Sequence, residues 1–66
     1  MIISNFTVSE LDYFREHCKF VGDEKFIFEL RSMNTSLDVI ADMLSMSDDT
    51  VEKIYKRVKR KIIKYL

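Results

Sequence analysis

Apolar residues recur at helical spacing in the second half of the chain, on both sides of one short polar break. Three of them share one face of a helix over 37–44, and four share one face of a longer helix over 48–65. The two sets are Ile40, Ala41 and Leu44, and then Val51, Ile54, Tyr55 and Val58. Ser36 and Ser47 stand at the two N-cap positions. The pattern therefore predicts a short helix, a tight turn at Ser45-Met46 and a long helix.

The start of the chain carries a specific signal for another helix. Thr7 and Glu10 have the spacing of a capping box, and Phe6 and Leu11 have that of a hydrophobic staple. A first helix is predicted over 8–20. Its inward residues would be Leu11, Phe14 and Cys18.

Gly22, the single glycine, is predicted to stop this first helix. A second helix over 23–33 would begin after it, with Asp23 in the first turn. The predicted apolar face of this helix comprises Phe26, Ile27, Leu30 and Met33. Phe28 would point partly away from the core, to be exposed or to serve an oligomer.

Length and composition favour one all-α domain over residues 1–66, with four helices and an N-terminal arm over 1–5. The chain has no proline, and 66 residues bury only about 60% of their unfolded surface. A lone cysteine excludes an internal disulfide, and no zinc-site spacing is present. Without a leader or an apolar run of about 20 residues, we expect a soluble cytoplasmic protein with no membrane contact.

No pattern of catalytic residues stands out. His17 and Cys18 are adjacent and would point about 100° apart on a helix, so they do not face each other. We expect no enzyme activity, no cofactor, no metal and no small-molecule substrate.

Charge is distributed unevenly along the chain although its net value is zero. Residues 1–52 contain four basic and eleven acidic residues, a net charge of −7. Residues 53–66 contain seven basic residues and no acid: Lys53, Lys56, Arg57, Lys59, Arg60, Lys61 and Lys64. Such a segment predicts a local anion-binding surface.

The segment IADMLSMSDDTV, residues 40–51, resembles the "IA..L..S..TV" signature of sigma-factor region 4 and of LuxR-type domains. The run RVKRKI, residues 57–62, resembles the basic run that ends those domains. The likeness extends back to about Phe6 and is closest to small sigma-like proteins of phages and mobile elements of Gram-positive bacteria. It implies a helix-turn-helix that binds double-stranded DNA. Ser45 departs from the pattern, since many members have glycine there.

The resemblance implies that the helix over 48–65 lies in the major groove and acts in transcription regulation. The predicted DNA-contacting residues are Ser36, Ser47, Asp49, Thr50, Lys53, Lys56, Arg57 and Arg60. Lysine and arginine would hold phosphates, which positions a protein without reading sequence. Asp48, Asp49 and Glu52 leave two alternatives open: they favour the helix N-terminus, or one of them accepts from a cytosine amino group.

Two other hypotheses remain. The acidic body would suit a basic protein partner, such as RNA polymerase or another regulator, with no direct DNA contact. A homodimer would instead pair the end of the last helix through Ile62, Ile63, Tyr65 and Leu66.

Overall fold

Four α-helices make up the domain in the computed structural model, which describes all residues from Met1 to Leu66. They are α1 (Val8–His17), α2 (Asp23–Ser32), α3 (Leu37–Leu44) and α4 (Asp48–Ile63). A single 3-10 turn, Ile3–Asn5, precedes them, and the body measures 30 × 18 × 18 Å. The predicted all-α, four-helix class is confirmed, although α1 ends three residues and α4 two residues earlier than predicted. None of these helices combines the length and the apolar character that a membrane crossing requires.

Two of the predicted helix starts, those of α1 and α4, are capped by the expected side chains. Glu10 N–H donates to Thr7 Oγ1 at 3.2 Å, and Thr7 N–H donates to Glu10 Oε1 at 2.8 Å, which completes the capping box. Ser47 Oγ accepts from the N–H of Thr50 at 3.2 Å and caps α4. Ser36 occupies the N-cap position of α3, but its side chain makes no capping hydrogen bond.

Three helices are followed by a residue in the left-handed conformation, and none of these residues is a glycine. Lys19, Asn34 and Ser45 have φ values of 45°, 62° and 55°. Gly22 was predicted to stop α1, but it is the N-cap of α2 with a φ of 54°. The chain already leaves the helical path at Cys18 and Lys19, so the prediction that α1 reaches residue 20 is wrong.

One face of every helix contributes to a single apolar core, and α2 turns a different face inward than predicted. Phe28 is completely buried, with its ring stacked on Phe20 at 4.6 Å between centroids. Phe26 is 58% exposed, and Met33 is also exposed. The predictions that Phe26 and Met33 face the core and that Phe28 points away are therefore wrong.

The end of α4 folds back onto α1 rather than projecting beyond the body. Tyr65 Oη donates to the carbonyl of His17 at 3.0 Å, and Cys18 Sγ lies 3.5 Å from the carbonyl of Lys61. Ile62 has no exposed surface, so its prediction as an oligomer-interface residue is wrong. Ile63 remains 58% exposed beside it.

Candidate nucleic-acid interface

A tight turn sets the direction of α4 relative to α3. Ser45 adopts the left-handed conformation, and the N–H of Met46 donates to the carbonyl of Ala41 at 2.9 Å. This six-to-one bond is the mark of a Schellman ending, in which the residue after the left-handed position packs back on the helix. Met46 accordingly packs against the core, and Ala41 is buried in the same core. The helices α3 and α4 lie next to each other.

The exposed side of α4 carries a groove lined only by basic side chains. Its lining residues are Lys53, Lys56, Arg57 and Arg60. All four are exposed, and Lys53, Lys56 and Arg60 take part in no internal ion pair. Their charges are therefore not neutralised by the protein. The structure brings together on one helix face four of the eight residues that were predicted to contact DNA.

Three members of the basic run are engaged inside the protein. Lys61 Nζ donates to Glu24 Oε1 at 2.5 Å and to the carbonyl of Lys19 at 3.1 Å. Arg57 Nε lies 3.7 Å from Glu24 Oε2, and Lys59 Nζ lies 4.6 Å from the ring centroid of Tyr55. The seven charges of residues 53–66 thus divide into a free set and an engaged set.

Glu24 is the residue that sequence analysis missed. It is the one buried charged residue, 6% exposed, and it joins α2 to α4. Burial alone would raise the pKa of this carboxyl, but hydrogen bonds from Lys61 and from the N–H of Val21, together with the nearby charges of Lys61 and Arg57, hold it below its usual value. No local pattern could reveal this pair, since Glu24 and Lys61 are 37 residues apart.

Replacing Glu24 by Gln should lower the free energy of unfolding at pH 7 by about 1.5–3 kcal/mol, the range for a lost hydrogen bond to a charged group. Because folding lowers the pKa of Glu24, its stabilisation is present above the unfolded-state pKa and is lost as the pH falls through the folded-state pKa. Urea denaturation of both proteins at neutral and at acidic pH measures this difference. Glu16→Gln, at an exposed residue without an ion pair, should stay within about 0.5 kcal/mol of the natural protein. An equal difference at both pH values would contradict the assignment.

The start of α4 is acidic and its capping groups are already occupied. Ser47 Oγ lies 2.8 Å from Thr50 Oγ1, so both hydroxyls are engaged with each other as well as in the cap. Asp48, Asp49 and Glu52 are exposed and take part in no ion pair or hydrogen bond to a helix N–H. Their charges favour the N-terminus of α4 from the first turns. Ser36, at the start of α3, is also exposed.

His17 and Cys18 have separate surroundings. The His17 ring is exposed and lies 4.2 Å from the ring of Tyr13, centroid to centroid. Cys18 is buried, and burial raises the pKa of its thiol. A raised pKa leaves less thiolate, the reactive form. No group of three or more His, Cys, Asp and Glu side chains converges to form a metal site.

Comparison with known proteins adds no relative to this description. No protein-family model, no curated protein and no solved structure matches the chain.

Proposed function

We propose that the protein is a sequence-specific DNA-binding transcriptional regulator with α4 as its recognition helix. The supporting observation is the groove of Lys53, Lys56, Arg57 and Arg60, which has no apolar lining residue. An α-helix fits the DNA major groove, about 12 Å wide, and α4 extends for 16 residues, about 24 Å. The resemblance to sigma region 4 and LuxR-type domains points to a bacterial or phage regulator of the helix-turn-helix type, acting in the cytoplasm.

The contacts would divide between phosphates and bases. Lys53, Lys56, Arg57 and Arg60 would hold phosphate oxygens, and Ser36 and Ser47 would add hydroxyl contacts at the helix starts. Asp49 and Thr50, in the first turn of α4, would face base edges in the groove. A carboxylate there would accept from the amino group of cytosine. The acidic side chains in the first turns of α4 would also repel phosphates. Binding would therefore favour DNA sequences whose bases offer these carboxylates a hydrogen-bond donor.

A salt titration tests this function. A labelled duplex of about 25 base pairs is long enough for two turns of DNA. Fluorescence anisotropy should show that the protein binds this duplex at low salt. Four phosphate contacts would give a slope of about −3.6 in a plot of log affinity against log salt concentration. Absence of binding to any mixed-sequence duplex at low ionic strength would refute the proposal.

A second function is favoured by the exposed face of α3, which carries acidic and apolar residues but no basic one. Asp38, Val39, Asp42 and Met43 lie on it, with both apolar side chains about half exposed. This composition suits a partner with basic and apolar residues, such as RNA polymerase or another regulator, with no direct DNA contact. In that case reversal of Asp38 and Asp42 to Lys would abolish function, whereas replacement of the groove lysines by Ala would preserve it. The opposite result would exclude this alternative.

A further inference from the structure

The two carboxylate oxygens of Glu24 have separate surroundings. Oε1 accepts from Lys61 Nζ at 2.5 Å and from the N–H of Val21 at 3.3 Å. Oε2 accepts neither of these bonds and lies 3.7 Å from Arg57 Nε. The two bonds to Oε1, together with the burial of the side chain, fix the direction of the whole carboxylate. Oε2 therefore places a negative charge at a defined position beside Arg57.

Arg57 lies next to this charge but keeps its hydrogen-bond donors free. The separation of 3.7 Å from Oε2 is beyond hydrogen-bond distance. Arginine and lysine side chains donate hydrogen bonds within this domain from Arg15, Arg31 and Lys61, and Arg57 donates none. Its side chain is 58% exposed and lines the basic groove. The guanidinium therefore offers all of its N–H donors in the fork geometry that matches a phosphate.

The other basic residues of the groove have no such neighbour. Lys53, Lys56 and Arg60 take part in no ion pair, so each would lose side-chain freedom when it contacts a phosphate. We propose that Glu24 is a positioning residue, which restricts the Arg57 guanidinium on the groove side of α4 before DNA arrives. The phosphate contact of Arg57 then forms with a smaller loss of conformational entropy. This role rests on the proposed DNA-binding function.

The charge of Glu24 also acts against binding, because it repels the phosphate that Arg57 would hold. The guanidinium would lie between that phosphate and the carboxylate, and the outer side of the guanidinium is exposed to solvent. Salt therefore screens this repulsion, whereas it screens the contact of Arg57 with the buried carboxylate less. At physiological salt the positioning effect should be the larger of the two.

A double-mutant cycle on DNA affinity tests the positioning role. Fluorescence anisotropy with the duplex of about 25 base pairs, at about 0.15 M salt, gives the affinity of each variant. Glu24→Gln should weaken binding by about 2–10-fold when Arg57 is present, the effect of ordering one long side chain. It should not weaken binding in the Arg57→Ala protein, which has no guanidinium to position. Changes in net charge or stability affect both backgrounds equally, so the cycle cancels them.

The control is Glu16→Gln, which removes the same charge from an exposed residue of α1 and should have one effect in both backgrounds. Circular dichroism shows whether each variant is folded at the temperature of the titration. Losses of equal size for Glu24→Gln with and without Arg57 would overturn the positioning role and leave the DNA-binding function standing. Absence of duplex binding even at low salt would refute the function itself and, with it, the role of Arg57 toward a phosphate.

The order of the arginine side chains gives a second readout, which needs neither DNA nor a variant that folds. In the natural protein, the heteronuclear NOE of the Arg57 Nε–Hε group, measured by NMR, should be high. That of Arg60, in the same groove but without an ion pair, should be low. Glu24→Gln should lower the value for Arg57 to that of Arg60. Equal values for the two arginines in the natural protein would overturn the inference.

Discussion

Replacement of Phe28 by Ala should lower the free energy of unfolding by about 3–5 kcal/mol, the usual range for a phenylalanine removed from a core. The ring is completely buried, stacks on Phe20 and lies 5.7 Å from the guanidinium carbon of Arg15. A domain of 66 residues has a total stability of only about 3–10 kcal/mol. The variant should therefore lose a large fraction of the domain's stability and unfold at a clearly lower temperature and urea concentration.

Phe26→Ala is the matched control, since it makes the same substitution at another phenylalanine of α2, two residues earlier. Phe26 is mostly exposed, so this variant should change the free energy of unfolding by no more than about 0.5 kcal/mol. Thermal and urea denaturation followed by circular dichroism compare the two variants. Equal losses of stability would show that α2 is rotated differently about its axis from the structure described here.

The two phenylalanines illustrate what the sequence could not decide. Ile27 and Leu30 are buried. Around the helix axis, Phe26 lies to one side of this pair and Phe28 to the other. The periodicity of apolar residues therefore permits two orientations of α2 about its own axis, one that buries Phe26 and one that buries Phe28. Tertiary contacts select one of them: the face with Phe28 also places Glu24 against Lys61. A buried carboxylate that pairs with a residue on another helix leaves no trace in the local pattern.

The helix starts were predictable for the opposite reason. A capping box needs only four neighbouring residues, so Thr7 and Glu10 announce the start of α1 from the sequence alone. Ser47 does the same for α4. The end of α1 could not be read in this way, because Lys19 in a left-handed conformation replaces the glycine that usually marks such a position.

The basic run shows a similar limit within the candidate site. Its seven charges are visible in the sequence, but their separation into free and engaged side chains depends on the fold. Lys61 pairs with Glu24, so its charge is not available to a partner. Ile62 is buried because the last turn of α4 packs on α1. The free charges lie on the side of α4 that points away from the core. A count of basic residues therefore overestimates the number available to an anionic partner.

Replacement of Lys53 and Lys56 together by Ala should weaken duplex binding by about 10–100-fold at 0.1 M salt and reduce the salt slope by about 1.8, if each holds one phosphate. Both lysines are exposed, line the basic groove and lack an internal ion pair, so their loss should leave the fold unchanged. Fluorescence anisotropy over the same salt series measures both quantities.

Lys19→Ala with Lys25→Ala is the control for this pair, since it removes the same total charge from exposed residues outside α4. A uniform electrostatic attraction would respond equally to both double variants, because only the net charge of the protein would count. If α4 holds phosphates at defined positions, the salt slope should fall in the α4 double variant and stay close to that of the natural protein in the control. Equal losses would mean that the basic groove is not the contact surface, even if the protein binds DNA.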